Sequence, residues 1–284
     1  MIENNKRKRL DMYLAENYPD VSRSFLQRLC NTEQVLVNGK AEKSGFRLKP
    51  TDSVKVTYDM AAIEKVEDID LPVLYDDDDL LVINKPAGII SHSRGKYWNE
   101  PSVASFVRQI TRQAGERAGI VHRLDRATSG VMICAKNQAA MMFLQKQFAD
   151  RNVKKVYRAI VSGHLNPQEA IIDMPIERNP KAPATFRVGS NGKPAKTMYK
   201  VLSSNDSMDE LALEPATGRT HQLRVHLKHI GHPILGDNLY GGEPAERLFL
   251  HAAELTVKLR DGKPRTFAAP VPPEFEEIMK DVHG

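Results

Sequence analysis

Only two cysteines, Cys30 and Cys134, occur in 284 residues, each inside an apolar stretch. That excludes a disulfide-stapled secreted scaffold and reads as two buried thiols in a reducing compartment; a single bridge between them is the alternative. No uninterrupted apolar run approaches the roughly 20 residues needed to cross a bilayer, so no membrane span is expected. The opening stretch MIENNKRKRLDMYL is basic but lacks an apolar core and a small-residue cleavage site. No secretory leader is therefore expected, and the expected compartment is the cytoplasm. No internal repeat or low-complexity tract stands out, which sets aside repeat architectures. There is no HExxH pair and no cysteine-based ligand set, so no metal is expected.

What is present is an ordinary globular balance, 41% hydrophobic and 27% charged, enough for one large domain and one small one. Charge is distributed unevenly. Residues 1–58 carry eleven Lys/Arg against seven Asp/Glu, residues 59–79 one against nine, and residues 80–284 twenty-nine against twenty. Two basic modules joined by an acidic segment point to a polyanion touched at both ends, although any basic protein can show such blocks.

Residues 9–58 read as one small α+β unit. VSRSFLQRLC places Val21, Phe25, Leu26, Leu29 and Cys30 at helical spacing, with Ser22 positioned to cap the N-terminus. Arg23 and Arg28 lie on the other face. VLVNGK alternates and turns at Asn38-Gly39, a hairpin signal that Lys40 follows, and VKVTY alternates again. A short basic helix beside small strands suits RNA phosphates, or is simply a solvated face.

Residues 59–72 lack a clear period, end at Pro72 and read as a linker. Beyond them a strand is expected at Leu80–Ile83, running into a Pro-Gly turn. Helices are expected near 101–113, 138–149, 220–230 and 274–282. Strands are expected near 131–135, 155–162, 196–203, 209–214 and 254–260. Strands and helices do not alternate strictly, so the fold class expected for residues 73–284 is α+β with a mixed, mostly antiparallel sheet.

Three polar clusters could carry chemistry. In VHRLDRATSG (121–130) the lone Asp125 sits between Arg123 and Arg126, whose charges suit an ionised nucleophile or base, or a plain surface ion-pair network. In EPATGRTHQLRVHLKHIGHPILGDNLYG (214–241) stand Arg219, His221, Gln222, Arg224, His226, His229 and His232. The histidine spacing hints at a metal, but Gly231 and Pro233 should end the helix first, so packing, capping and RNA contacts fit better. In KKVYRAIVSG (154–163), Lys154, Lys155 and Arg158 could meet phosphates, and Tyr157 could stack on a flipped base or merely pack.

HRLDRATSG resembles the catalytic motif of the RluA-type RNA pseudouridine synthases. LPVLYDDDDLLVINKPAG (71–88), KKVYRAIVSG and TGRTHQLRVHLKHIGHPILGDNLYG are similar to further motifs of that family, as are FLHAAELTVKL and FAAPVPPEF near the end. Ala127 stands where the family commonly has an acid. RLDMYL (9–14), SRSFLQRL (22–29), VLVNGK (35–40) and DSVKV (52–56) resemble the S4 RNA-binding domain, with Gln34 and Thr51 at two turn positions where that domain usually has Gly. The resemblance implies an S4-like domain over residues 1–58, a linker over 59–72 and a catalytic domain over 73–284. It implies that Asp125 is the essential carboxylate and Arg219 its ion-pair partner. Tyr157 would stack on the uracil, Leu223 would pack against it, and Arg123 would enter the vacancy left by the flipped base. Arg126, His221 and Arg224 are further candidates for substrate contact, and Arg23, Arg28 and Lys40 for RNA contact in the S4-like part. An S4-like domain ahead of such a catalytic domain resembles the RluC/RluD-like enzymes of large-subunit ribosomal RNA. Transfer RNA is the alternative target, no cofactor is implied, and a monomer is expected. Two other classes remain open. One is a non-catalytic RNA-binding or ribosome-assembly protein. The other is a glycosidase, which needs a second carboxylate, with Glu214 the obvious acid.

Overall fold

The computed structural model describes residues 8–18, 23–58, 69–92, 100–111 and 119–280. The first unit contains α1 (Leu10–Asn17), α2 (Arg23–Asn31), β1 (Val35–Val37), β2 (Lys40–Ala41) and β3 (Val54–Val56). Its sheet runs β2-β1-β3, and the Asn38-Gly39 turn between β1 and β2 has both residues left-handed (φ 51° and 81°), as a two-residue hairpin requires. Leu10 and Leu14 of α1, one helical turn apart, close the core with Leu26, Leu29 and Val35. The expected cap Ser22 lies outside the described residues.

Arg23 departs from the expectation. Asp11 is wholly buried and accepts hydrogen bonds from Arg9 (3.0 Å), Arg23 (2.8 Å) and Gln27 (2.9 Å). Burial opposes its charge, but those donors hold the carboxyl well below the usual range. Arg23 thus joins the two helices before it can serve RNA. Arg28 lies over the Phe25 ring at 4.9 Å, and Lys40 is exposed on β2.

Residues 59–68 of the expected linker lie outside the described residues. Its end does not behave as a linker: Leu71 is buried and Ile69 packs beside it, in the same cluster as β5 and β6 below. The large unit proceeds through β4 (Val73–Asp76), β5 (Leu80–Lys85), α3 (Val103–Thr111), β6 (Ser129–Ala135), α4 (Gln138–Ala149), β7 (Lys154–Ser162), β8 (Glu169–Asp173), β9 (Ile176–Arg178) and β10 (Phe186–Val188). It continues with β11 (Lys196–Ser204), β12 (Met208–Pro215), α5 (Gln222–His229), β13 (Leu250–Lys258), β14 (Pro264–Ala268) and α6 (Pro273–Met279). Nine strands form one sheet in the order β4-β5-β6-β13-β7-β12-β11-β8, with β14 also paired to β13. Every pairing in it is antiparallel except β6 with β13. No described helix is long and apolar enough to cross a membrane. Cys30 and Cys134 are both buried and free.

The parallel contact is a seam between two antiparallel halves, and it consists of two residue pairs, His251↔Ser129 and Ala252↔Gly130. Beyond them β13 turns the same edge to β14. One core cluster gathers β5, β6, α3 and α4; the other gathers β7, β12 and α5; Tyr157 touches both. Gly130 makes the seam possible, because at its φ of 119° a Cβ would lie 2.2 Å from the Ala252 carbonyl oxygen.

His251 is sealed into this seam, with Nδ1 2.9 Å from Ser129 Oγ and Nε2 3.3 Å from Ala269 O. Burial pushes its pKa down to about 4. The unfolded ring takes its proton near pH 6.5, so the folded state loses stability as pH falls below that value, and the loss is complete near pH 4. The window corresponds to roughly 3 kcal/mol. Thermal unfolding followed from pH 7 to pH 4 should show this fall, and His251→Gln should flatten part of it. Parallel curves for the two proteins would mean that other groups carry the acid sensitivity.

Candidate active site

Asp125 sits in the loop entering β6, and the loop is clasped from below. Ser91 Oγ donates to Leu124 O at 2.8 Å and accepts from Leu124 N at 3.1 Å. His122 stacks on Phe148 with ring centroids 4.7 Å apart, and its Nε2 accepts the Ile133 N–H at 3.0 Å. Burial pushes the His122 pKa down to about 3, and Lys155 adds to the fall. Lys85, at the end of an apolar strand, is fully buried and donates to Pro86 O (2.8 Å), Ile89 O (2.8 Å) and Arg126 O (3.2 Å). It ties the Pro-Gly turn to the residue after Asp125. Burial pushes its ammonium down to about 7, while the Asp125 charge works the other way.

Across the cavity α5 begins. Its N-terminal flank is His221, a non-glycine residue in the left-handed region (φ 56°), a conformation that concentrates at functional sites. Gln222 holds the preceding loop: Oε1 accepts from Thr217 Oγ1 (2.7 Å) and Arg219 N (3.0 Å), and Nε2 donates to Lys196 O and Thr197 Oγ1, both at 3.0 Å. Two residues on, Arg224 grips buried Asp237 with two hydrogen bonds of 2.7 Å and lies over the Tyr240 ring at 4.9 Å. The remaining amino group, Nη1, faces Asp125 Oδ2 at 3.8 Å. His221 Nε2 lies 3.9 Å from the same oxygen, and its Nδ1 is 2.7 Å from the Tyr240 hydroxyl. Phe186 N–H already donates to that hydroxyl oxygen. When the hydroxyl proton goes to Nδ1, the neutral ring presents Nε2–H to the carboxylate. Burial lowers the His221 pKa against the pull of Asp125, and it opposes the Arg224 charge, which Asp237 more than restores.

The expected ion pair is therefore corrected. Arg219 does not meet Asp125 among the described residues; its Nε donates to Pro194 O at 3.1 Å, and the cation facing Asp125 is Arg224. Arg126 pairs with Glu100 and does not line the cavity. Of the other expected phosphate contacts, Lys154 pairs with Glu214 at 3.3 Å and Arg158 with Glu210. Of the three histidines that hinted at a metal, His226 meets Thr197 and Met174 O, and His232 meets Ser162 O. Among the described residues no group of three metal-ligating side chains converges.

The cavity encloses about 480 Å³. Asp125, Tyr157, Leu223, His221 and Arg224 line it, with Arg123 exposed at its edge. Burial and the Asp125 charge raise the Tyr157 pKa, so its hydroxyl keeps its proton. Among the described residues, five Arg/Lys side chains line the space and Asp125 is the one acid there. Glu214 is not a lining residue, so among the described residues Asp125 has no second carboxylate with which to form a glycosidase pair. The arrangement suits a negatively charged ligand presented to a single oriented carboxylate. Asp237, Tyr240 and Lys85 are not picked out by the sequence reading; the one signal it offers for them is a lysine ending an apolar strand.

Comparison with known proteins agrees with the motifs. Residues 79–229 match the family described as RNA pseudouridylate synthase, and residues 8–54 match the S4 domain. A Borreliella burgdorferi protein named ribosomal large subunit pseudouridine synthase D is 35% identical, over 97% of this chain and 90% of its own. Ribosomal large subunit pseudouridine synthase C of Vibrio parahaemolyticus is 33% identical over 87% and 84%. Among solved structures, human RNA pseudouridylate synthase domain containing 1 superposes with a TM-score of 0.60 at 28% identity, covering 76% of this chain and 87% of that one.

Proposed function

The chain belongs to the RNA pseudouridylate synthase family, and from that premise we propose that it isomerises uridines of large-subunit ribosomal RNA with Asp125 as the reacting carboxylate. The observation that carries the assignment of Asp125 is that, among the described residues, it is the only acid in a cavity lined by five Arg/Lys side chains. The ribosomal part is supported by the names of the Borreliella and Vibrio relatives and by the S4 unit ahead of the catalytic one.

In the reaction the N1–C1′ bond breaks, the uracil turns, and C5 bonds to C1′. C5 gives up a proton and N1 ends with one, so nothing is added to the RNA. A stacked base cannot turn, so it must first leave its helix or loop, at a cost of a few kcal/mol. Contacts between phosphates and the basic surface offset that cost. Asp125 acts on the ribose or the base, oriented by Arg224 and His221 at its Oδ2. Tyr157 offers its face to the uracil, and Leu223 packs against the base and keeps out water that could trap a detached intermediate. Arg123, exposed at the edge, takes the place of the extruded base.

The test is a pseudouridine map of ribosomal and transfer RNA from cells lacking the gene, with and without the intact protein restored. Loss and recovery at uridines of the large subunit is the expected result. Recovery in transfer RNA alone would replace the target, and no change at any uridine would favour a purely RNA-binding role.

A further inference from the structure

The five cations around the cavity are not equally occupied. Arg224 is committed to Asp237, and Arg219 donates to Pro194 O. Arg151 and Lys155, at the Phe148 end, have neither an ion pair nor a side-chain hydrogen bond among the described residues. The neighbouring Lys154 is neutralised by Glu214, so one lysine of the doublet has its anion and the other, lining the cavity, does not.

Arg123 at the edge is likewise unpaired among the described residues, but Arg151 and Lys155 both stand on fixed backbone. Arg151 follows α4 in the left-handed conformation (φ 59°), and Asn152 N–H closes the turn on Gln147 O at 2.9 Å. Gln147 is itself bound to the Lys258 backbone at both ends of its amide, at 2.9 and 2.8 Å. Lys155 stands on β7 opposite Leu255, two residues before Tyr157. Alternate residues of a strand share a face, so the two side chains emerge about 7 Å apart along it. That is comparable to the reach from a base to a phosphate flanking its own sugar. Burial lowers the Lys155 pKa and Arg151 lowers it further, a tension that an anion relieves.

We propose that Arg151 and Lys155 form a phosphate subsite that holds a phosphodiester next to the flipped nucleotide while its base lies at Tyr157. This rests on the reading of the Asp125 cavity as the site of uridine isomerisation. It gives that cavity two ends, one for chemistry and one for the RNA backbone.

The experiment compares wild type with Lys155→Met, Arg151→Gln and the double variant, with Lys200→Met as a control remote from the cavity. Affinity for oligouridylate RNA is followed against salt concentration, and turnover is followed on a large-subunit ribosomal RNA transcript. The double variant should bind roughly tenfold or more weakly, and its log–log salt slope should fall by about 0.7, the share of one phosphate on a single strand. In turnover the loss should fall on KM rather than on kcat. Unchanged slope and KM beside an active wild type would overturn the subsite while leaving the isomerase reading intact. A reduced slope beside a wild type that forms no pseudouridine on any RNA would do the reverse. A loss confined to kcat would make the pair a support for the Asp125 loop and would also overturn the proposal.

Discussion

Asp125→Asn is expected to abolish pseudouridine formation, by on the order of 10⁴-fold or more, while leaving a folded protein that still binds RNA. The replacement keeps the shape of the side chain and removes its charge, and an amide can neither attack a sugar carbon nor take up a proton as a carboxylate does. Stability should change little, because Arg224 keeps both hydrogen bonds to Asp237 and the Asp125 contacts, at 3.8 and 3.9 Å, are longer than hydrogen bonds. Release of tritium from RNA labelled at uridine C5 reports the reaction, because that hydrogen must leave. Tritium release by the variant at the wild-type rate would remove Asp125 from the chemistry.

A second large effect separates two arginines five positions apart in one motif. Arg224→Gln should destabilise the large unit by roughly 3–5 kcal/mol, because it leaves buried Asp237 without its fork partner. Arg224→Lys is the more informative change. It keeps a cation near Asp237 but loses the planar fork that aims Nη1 at Asp125, so turnover should fall roughly 100-fold in a protein that still folds. Arg219→Gln should cost roughly tenfold or less, since that side chain reaches a backbone carbonyl instead of the carboxylate. Circular dichroism fixes the folded fraction and tritium release the rate. If Arg219→Gln lost the reaction and Arg224→Lys kept it, the partner of Asp125 would have to be reassigned.

The wrong choice of arginine shows where sequence reading runs out. The pattern over 220–230 predicts a helix, and one is there, but which side chain faces Asp125 depends on where its first turn begins. His221 takes a left-handed conformation and Gln222 ties back the loop, so the helix starts at Gln222 and turns Arg224 inward. No periodicity encodes that start. Asp237 and Tyr240, which complete the arrangement, follow in a turn-rich stretch that offers no period at all. The fold class was more legible, because β5, β6, β7 and β12 carry apolar runs and alternations that survive as strands. The short strands β9 and β10 and the edge strand β8, where Ile172 is the one buried residue, have too little apolar pattern to be seen. Arg23 looks like a surface cation in the sequence because a buried Asp11 cannot be told from an exposed one there.

The seam between the two half-sheets also sets a timetable. Asp125, Tyr157 and Arg224 all leave the ribosome before Leu250–Lys258, the strand that joins the half bearing the carboxylate to the half bearing its partners. Until β13 arrives, β6 has no edge to pair with across the seam, and the contact it awaits spans 122 residues of chain. Closing so long a loop is slow and gains nothing until the far strand is present. A nascent chain stopped short of residue 250 therefore carries every group proposed here for the chemistry and lacks the strand that brings them together. On that reading competence comes late in synthesis, with a strand that supplies none of the proposed catalytic groups.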